Sequence, residues 1–153
     1  MNRLLSTALL SCWLIISCGQ VPPASQNTVK RTVPEIQSFK VLTNGILIGH
    51  MKVSTAQSNI DIDFDYKDNG RGPTLQEQIL LNSKGFPINW TIKGNSTFGS
   101  EINESFTFSN NAATWTDATG TDKADLSVPK LYINQYGSPY SLFIFANVLL
   151  DTI

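Results

Sequence analysis

Closely spaced acidic residues are the first candidates for chemistry in this chain. Asp61, Asp63 and Asp65 alternate along one stretch. Alternate aspartates also open an EF-hand calcium loop, but Tyr66 stands where that loop needs glycine and Gly72 where it needs a bidentate glutamate. On a strand, the three carboxylates would project to one side, about 6–7 Å apart. A solvated sheet face is therefore favoured over a calcium site.

His50 is the only histidine of the chain. A single histidine excludes a His-rich metal site. It leaves one possible base for a serine triad, but no G-x-S-x-G motif supplies the nucleophile. Because it follows Gly49 on the polar side of a predicted strand, we interpret His50 as a surface residue. The sequence thus predicts no catalytic residue, no bound metal and no cofactor; an independent enzyme is the less favoured alternative.

A second set of charges lies near predicted turns: Asp68, Arg71, Lys84, Glu101 and Glu104. These residues could form an anion site, but ion pairs at the turn ends are the simpler interpretation. Within the set, Arg71 and Asp68 are the candidates for contact with a ligand or another domain.

Gly70, Gly72 and Pro73 surround Arg71 and are predicted to serve turn geometry. Pro73 opens the next predicted strand, where its missing N–H costs nothing in the hydrogen-bond ladder.

The N-terminus has the pattern of an export signal. Arg3 precedes an apolar run, Leu4–Ile16, which is too short for a membrane span of about 20 residues. The residues before Cys18 fit the small-residue cleavage rule, with the cysteine as the first residue kept. The pattern resembles a bacterial lipoprotein signal, in which residues 1–17 are removed and Cys18 is acylated. The alternative is an ordinary secretory signal cut elsewhere, with Cys18 incidental.

Localisation follows from this interpretation. Gly19 follows the cysteine, rather than an aspartate resembling an inner-membrane retention signal, so we expect an exported protein anchored by lipid in the outer membrane and facing the periplasm. The formal net charge is −1, and the only adjacent basic pair is Lys30–Arg31, which argues against nucleic acid as a partner. The only cysteines are Cys12 and Cys18, so the exported chain would contain no disulfide.

Composition divides the remainder in two. Residues 18–36 contain adjacent prolines, polar residues and no apolar period, which predicts a flexible, lipid-anchored tether. Residues 37–153 form one predicted domain in which apolar and polar residues alternate, as Ile60, Ile62 and Phe64 do with the aspartates. Pairs such as Asn44–Gly45 provide turns between such runs.

The sequence predicts a mainly β fold, an antiparallel, curved, half-barrel-like meander with one C-terminal helix. The helix is predicted over Pro139–Leu150, with Ser138 as its cap. Strands are predicted near 37–43, 45–55, 58–67, 73–82, 86–94, 101–109 and 112–117, with a shorter one near 130–134.

The segment Lys67–Pro73 reads Lys-Asp-Asn-Gly-Arg-Gly-Pro. It is similar to the Asn-Asp-x-Gly-Arg-Gly-Pro turn in the N-terminal β-domain of exported bacterial metal-dependent amidohydrolases related to imidazolonepropionase. Shorter similarities cover most of 39–150. They are the Gly45–Gly49 strand, the Gly85–Pro87 turn before Trp90, Gly94–Asn95, Glu104-x-Phe106, Ala113-x-Trp115, and Tyr136–Pro139 leading into Leu149–Leu150.

The resemblance implies a role as the leading, non-catalytic β-domain of such an enzyme. In that family a TIM-type barrel follows and holds the metal-binding residues, none of which lies in this sequence, so we expect a fragment or a truncated product whose partner is the missing C-terminal barrel. The alternative is a free-standing envelope lipoprotein that binds an apolar or peptidic ligand in the concave face of its sheet. An uncovered apolar patch within Leu142–Ile153 would favour the first hypothesis.

Overall fold

The computed structural model describes residues 33–150, which form one open sheet and one helix. Every strand pairs antiparallel with the next along the chain, so the spatial order is β1 to β8. The predicted mainly β class, an antiparallel meander with one C-terminal helix, is confirmed. The elements are β1 (Glu35–Thr43), β2 (Ile46–Ala56), β3 (Asn59–Tyr66), β4 (Thr74–Leu81), β5 (Pro87–Asn95), β6 (Glu101–Ser109), β7 (Ala112–Asp117), β8 (Gly120–Asp125) and α1 (Ser141–Leu150).

Alternation along the strands separates an apolar face from a polar face. Ile62 and Phe64 of β3 are buried, whereas Asp61 and Asp63 between and beside them are exposed. The strand register extends the apolar face across the sheet, because Ile60 pairs with Ile79, Ile79 with Trp90, and Trp90 with Phe106. Trp90 is fully buried, as the sequence pattern indicates.

The C-terminal residues supply the second layer of the core. An irregular segment, 126–140, and then α1 pack against the apolar face, and Ile144 of the helix belongs to the buried cluster. Phe145 contacts Trp90 with ring centroids 6.1 Å apart. Tyr132 stacks on Phe106 at 4.4 Å. The core therefore lies between the sheet and this C-terminal layer.

The strand predicted near 130–134 is wrong. These residues are irregular, and the eighth strand is Gly120–Asp125 instead. The alternation of Leu131 and Ile133 resembles a strand, but the chain here crosses the apolar face and bonds to the side chain of Glu104. β8 is an edge strand, exposed except at half-buried Ala124, so it carries little apolar signal.

The helix begins two residues later than predicted. Pro139 and Tyr140 form a turn, and the carbonyl oxygen of Ser138 accepts hydrogen bonds from the backbone N–H and the hydroxyl of Ser141, at 3.1 and 2.8 Å. The hydroxyl of Ser138 caps no helix N–H. No helix in the described residues is both long and apolar enough to cross a membrane.

The N-terminal predictions are separate from this fold. β1 begins at Glu35, within the last residues assigned to the tether. The signal, Cys18 and most of the tether lie outside the described residues.

Candidate functional site

The hairpin Lys67–Pro73 connects β3 to β4 and contains the predicted contact residues. The backbone N–H of Asp68 donates to the Arg71 carbonyl at 2.8 Å, and the N–H of Arg71 donates to the Asp68 carbonyl at 2.9 Å. Between them Asn69 and Gly70 have φ angles of 51° and 75°, as a two-residue type I′ turn requires. Gly70 therefore occupies a position where a side chain would be strained.

The ammonium of Lys67 fixes this hairpin to the sheet. It donates to Asp65 Oδ2 at 2.9 Å, to Thr74 Oγ1 at 2.9 Å, and to the carbonyl oxygens of Gly72 and Pro73 at 2.8 and 3.2 Å. Hydrogen bonds from Thr74 and Lys67 lower the pKa of Asp65. One cation thus organises the base of the turn.

Gly72 is required by close packing of the same hairpin. Its φ is 157°, and a Cβ there would overlap the carbonyl oxygen of Tyr66. The N–H of Tyr66 donates to the Pro73 carbonyl at 3.4 Å. These contacts give Gly72 and Pro73 a geometric role next to Arg71.

The side chains of the hairpin tip face solvent. Arg71 and Asp68 are exposed, and Asp68 Oδ1 accepts a hydrogen bond from Asn69 Nδ2 at 3.2 Å. For the Arg71 guanidinium, the described residues provide neither a hydrogen bond nor an ion pair. Arg71 is thus held on a fixed backbone with its donors available to another molecule or domain.

The other charges of the predicted set do not assemble around Arg71. Lys84 lies beside the start of β5, whereas Glu101 pairs with Asn95 at its far end, about 25–30 Å away by strand rise. Glu104 is not at a turn end, because it lies within β6 and pairs in register with Ile92, and it is 1% exposed. The predicted anion site or ion-pair cluster is therefore wrong as a group.

The three aspartates share the polar face of β3. Asp61 accepts a hydrogen bond from Gln78 Nε2 at 3.4 Å, and Asp63 pairs in register with Lys52 and Gln76. Asp61 and Asp63 border an open trough of about 570 Å³. Within residues 33–150, no three His, Cys, Asp or Glu side chains are placed to hold one metal ion.

Two glutamates are buried on the apolar face: Glu77, which the sequence analysis did not single out, and Glu104, which it assigned to a turn end. Glu77 lies between Leu75 and Ile79 on the apolar face of β4 and is 1% exposed. Trp90 Nε1 donates to its Oε2 at 2.9 Å, and the backbone N–H of Ser138 donates to its Oε1. Burial raises the pKa of Glu77, and the hydrogen bonds from Ser138 and Trp90 oppose that rise.

Glu104 holds the same segment from β6. Tyr132 Oη donates to its Oε1 at 2.6 Å, and the backbone N–H groups of Gln135 and Tyr136 donate to the carboxylate at 2.9 and 3.1 Å. Burial and this bond to Glu104 raise the pKa of Tyr132. The signal available in sequence is a glutamate at an apolar position of an alternating strand, as in Ile102-x-Glu104-x-Phe106.

The helix α1 exposes large apolar residues on the side away from the core. Ile144 and Val148 are buried, whereas four neighbours are largely exposed. They are Leu142 at 66%, Phe143 at 54%, Leu149 at 57% and Leu150 at 69%. We call these four residues the outer face of α1.

Comparison with known proteins provides no relative. No protein family, no curated protein and no solved structure matches this chain.

Proposed function

We propose that this chain is the non-catalytic leading β-domain of an exported, amidohydrolase-like lipoprotein, and that the outer face of α1 packs against a catalytic barrel. The observation that carries the proposal is the set of four exposed apolar side chains on one short helix. Full burial of a Leu or Phe side chain stabilises by about 1.5–3 kcal/mol. Contiguous apolar surface of this kind is typical of an interaction site.

The Lys67–Pro73 hairpin supports the same proposal. Lys67 ties the turn to Asp65 and Thr74, so the backbone that presents Arg71 is fixed before any partner arrives. A guanidinium in that position suits a carboxylate or a carbonyl oxygen on a neighbouring domain, to which it can donate two parallel hydrogen bonds. In this proposal, the hairpin resembles the amidohydrolase turn because both present a rigid contact to the neighbouring catalytic domain.

Catalysis is assigned to the barrel and not to this chain. A catalytic zinc site takes about three protein ligands and commonly uses histidines, whereas this sequence has one histidine. The role proposed here is to support and position the catalytic domain. In the same proposal, acylated Cys18 anchors the protein in the outer membrane, which mass spectrometry of the membrane fraction would test.

An immunoblot tests the proposal directly. Antibodies raised against this chain should detect, in membranes of the source organism, a polypeptide far larger than the 16.8 kDa of the given sequence, because a TIM barrel adds about 250 residues. A single band at or below 16.8 kDa would contradict the proposal.

That small band would favour the rival hypothesis of a free-standing ligand-binding lipoprotein. A ligand site on the apolar face of the sheet has less support, because the 126–140 segment and α1 cover that face.

A further inference from the structure

The apolar core borders a surface cavity at one of its ends. A cavity of about 650 Å³ lies between the strand ends of β3, β4 and β6 and the start of α1. Phe64, Leu75 and Ile102 contribute to its apolar lining, and Phe98 and Leu142 also line it. Its volume falls within the roughly 300–1,000 Å³ of small-molecule sites.

Hydrogen bonds fix the walls of this cavity. The N–H of Ser138 is held by the buried carboxylate of Glu77. The loop that carries Phe98 is closed by bonds from Gly99 N–H to the Ser96 carbonyl at 2.9 Å and from Ser100 N–H to Ser96 Oγ at 3.1 Å. The cavity is thus built from ordered backbone and does not depend on a ligand to form.

The lining indicates which ligands fit. It includes no Asp, Glu, Lys, Arg or His, whereas the hydroxyl-bearing side chains of Tyr66, Ser96, Thr97 and Tyr136 contribute to it. A charged ligand would lose hydration there without gaining an opposite charge. An uncharged ligand with an apolar body would lose little and would bury apolar surface.

Ser138 provides a polar group on the wall. Its side chain is 1% exposed. Its hydroxyl lies close to the Glu77 carboxylate, and a hydrogen bond from it lowers the pKa of that group. A hydroxyl that donates to a carboxylate keeps oxygen lone pairs, which can accept a hydrogen bond from an O–H or N–H group of a ligand.

From these observations we infer that the cavity is a binding site for an uncharged amphipathic small molecule, with an apolar body against Phe64, Leu75 and Ile102 and one hydrogen-bonding group toward Ser138. Phe98 lines the same cavity and is 81% exposed, so its ring is accessible to the apolar body of the ligand. The site shares Leu142 with the outer face of α1, and the other residues that line it lie outside that face.

Fluorescence titration of the purified chain with N-phenyl-1-naphthylamine, a neutral apolar amine, tests the inference. Saturable binding at one site is expected, with at least tenfold weaker binding of the anionic 8-anilinonaphthalene-1-sulfonate because no cation lines the cavity. Phe98→Ala should weaken binding of the neutral dye about fivefold or more. It should not unfold the chain, since the Phe98 side chain is mostly exposed.

Leu149→Ala is the matched control, because it removes an exposed apolar side chain outside the cavity. Its affinity for the dye should be unchanged. Ser138→Ala, checked for folding by circular dichroism, should weaken binding of N-phenyl-1-naphthylamine, because the amine N–H of this dye can donate to the Ser138 hydroxyl. Non-saturable binding, or a loss in Leu149→Ala that equals or exceeds the loss in Phe98→Ala, would overturn the inference while leaving the domain-packing proposal intact.

Discussion

Carboxylates on the two faces of the sheet behave in opposite ways. On the polar face, Asp61 and Asp63 are exposed and make weak or no side-chain bonds in the described residues. On the apolar face, Glu77 and Glu104 are each 1% exposed and accept several hydrogen bonds. The register aligns the two glutamates in one cross-strand row, with Ile92 between them.

The difference shows what the buried acids do. The irregular segment that crosses the apolar face has backbone N–H groups that no strand partner can satisfy, and buried N–H groups need acceptors. Glu77 and Glu104 supply those acceptors at Ser138, Gln135 and Tyr136. Buried carboxylates often mark active sites, but here their partners are the chain's own backbone, so their primary role is to attach the C-terminal layer.

The largest effect should come from the side chain that joins both layers. Trp90→Ala removes a fully buried ring and should lower the free energy of unfolding by about 3–5 kcal/mol. It also removes the Nε1 donor of Glu77. Trp90→Phe, which keeps most of the packing but not the donor, should lose less. Urea denaturation measures both, and a loss below about 1 kcal/mol in Trp90→Ala would contradict the assigned face.

Glu104→Gln should have the next largest effect. The amide keeps one acceptor oxygen but turns its NH₂ toward the N–H donors of Gln135 and Tyr136, so we expect a loss of about 2–4 kcal/mol in urea denaturation. Glu101→Gln is the control on the same strand, because Glu101 is exposed, and it should change stability by less than about 0.5 kcal/mol. Equal effects of the two variants would remove the distinction between the faces.

The pH dependence of stability sharpens the comparison for Glu77. Burial raises its pKa above the ordinary 4.5, so the native state binds more protons than the unfolded state in the window above 4.5. Stability should therefore fall as pH rises through that window. Relative to Glu77→Gln, the wild-type protein should lose unfolding free energy with rising pH, and parallel curves for the two proteins would contradict this expectation.

The smallest effect is expected on the polar face. Asp61→Asn and Asp63→Asn should each change the unfolding free energy by less than about 0.5 kcal/mol. Calcium should leave the melting temperature unchanged, because a ligand raises it only by binding the native state. A calcium-dependent rise that is lost in both variants would show that these aspartates form a site.

The sequence predicts the strands whose two faces differ in polarity, and it fails where they do not. Ile60, Ile62 and Phe64 define β3, whereas β8 has only Ala124 as an inward apolar residue. Leu131 and Ile133 imitate a strand because alternation alone does not reveal that Glu104 captures the backbone nearby. The alternation within one strand therefore predicts which side of the sheet is apolar, but it does not predict which segment of the chain packs across that side.

The candidate site was only partly predictable for the same reason. The Asn69–Gly70 pair predicts its turn from local backbone preference. The four bonds of Lys67, however, depend on the pairing of β3 with β4. The roles of Glu77 and Glu104 depend on partners 61 and 31 residues away in sequence, beyond the reach of local spacing.

The central claim is that the outer face of α1 is covered in the native protein, and thiol labelling tests it most directly. Leu149→Cys and, as a control on the polar sheet face, Gln76→Cys are labelled in native membranes and in the isolated chain, with each site quantified by peptide mass spectrometry. In the isolated chain both positions should react. In the native membranes position 149 should be protected at least tenfold while position 76 remains reactive; equal labelling of both positions there would contradict the account.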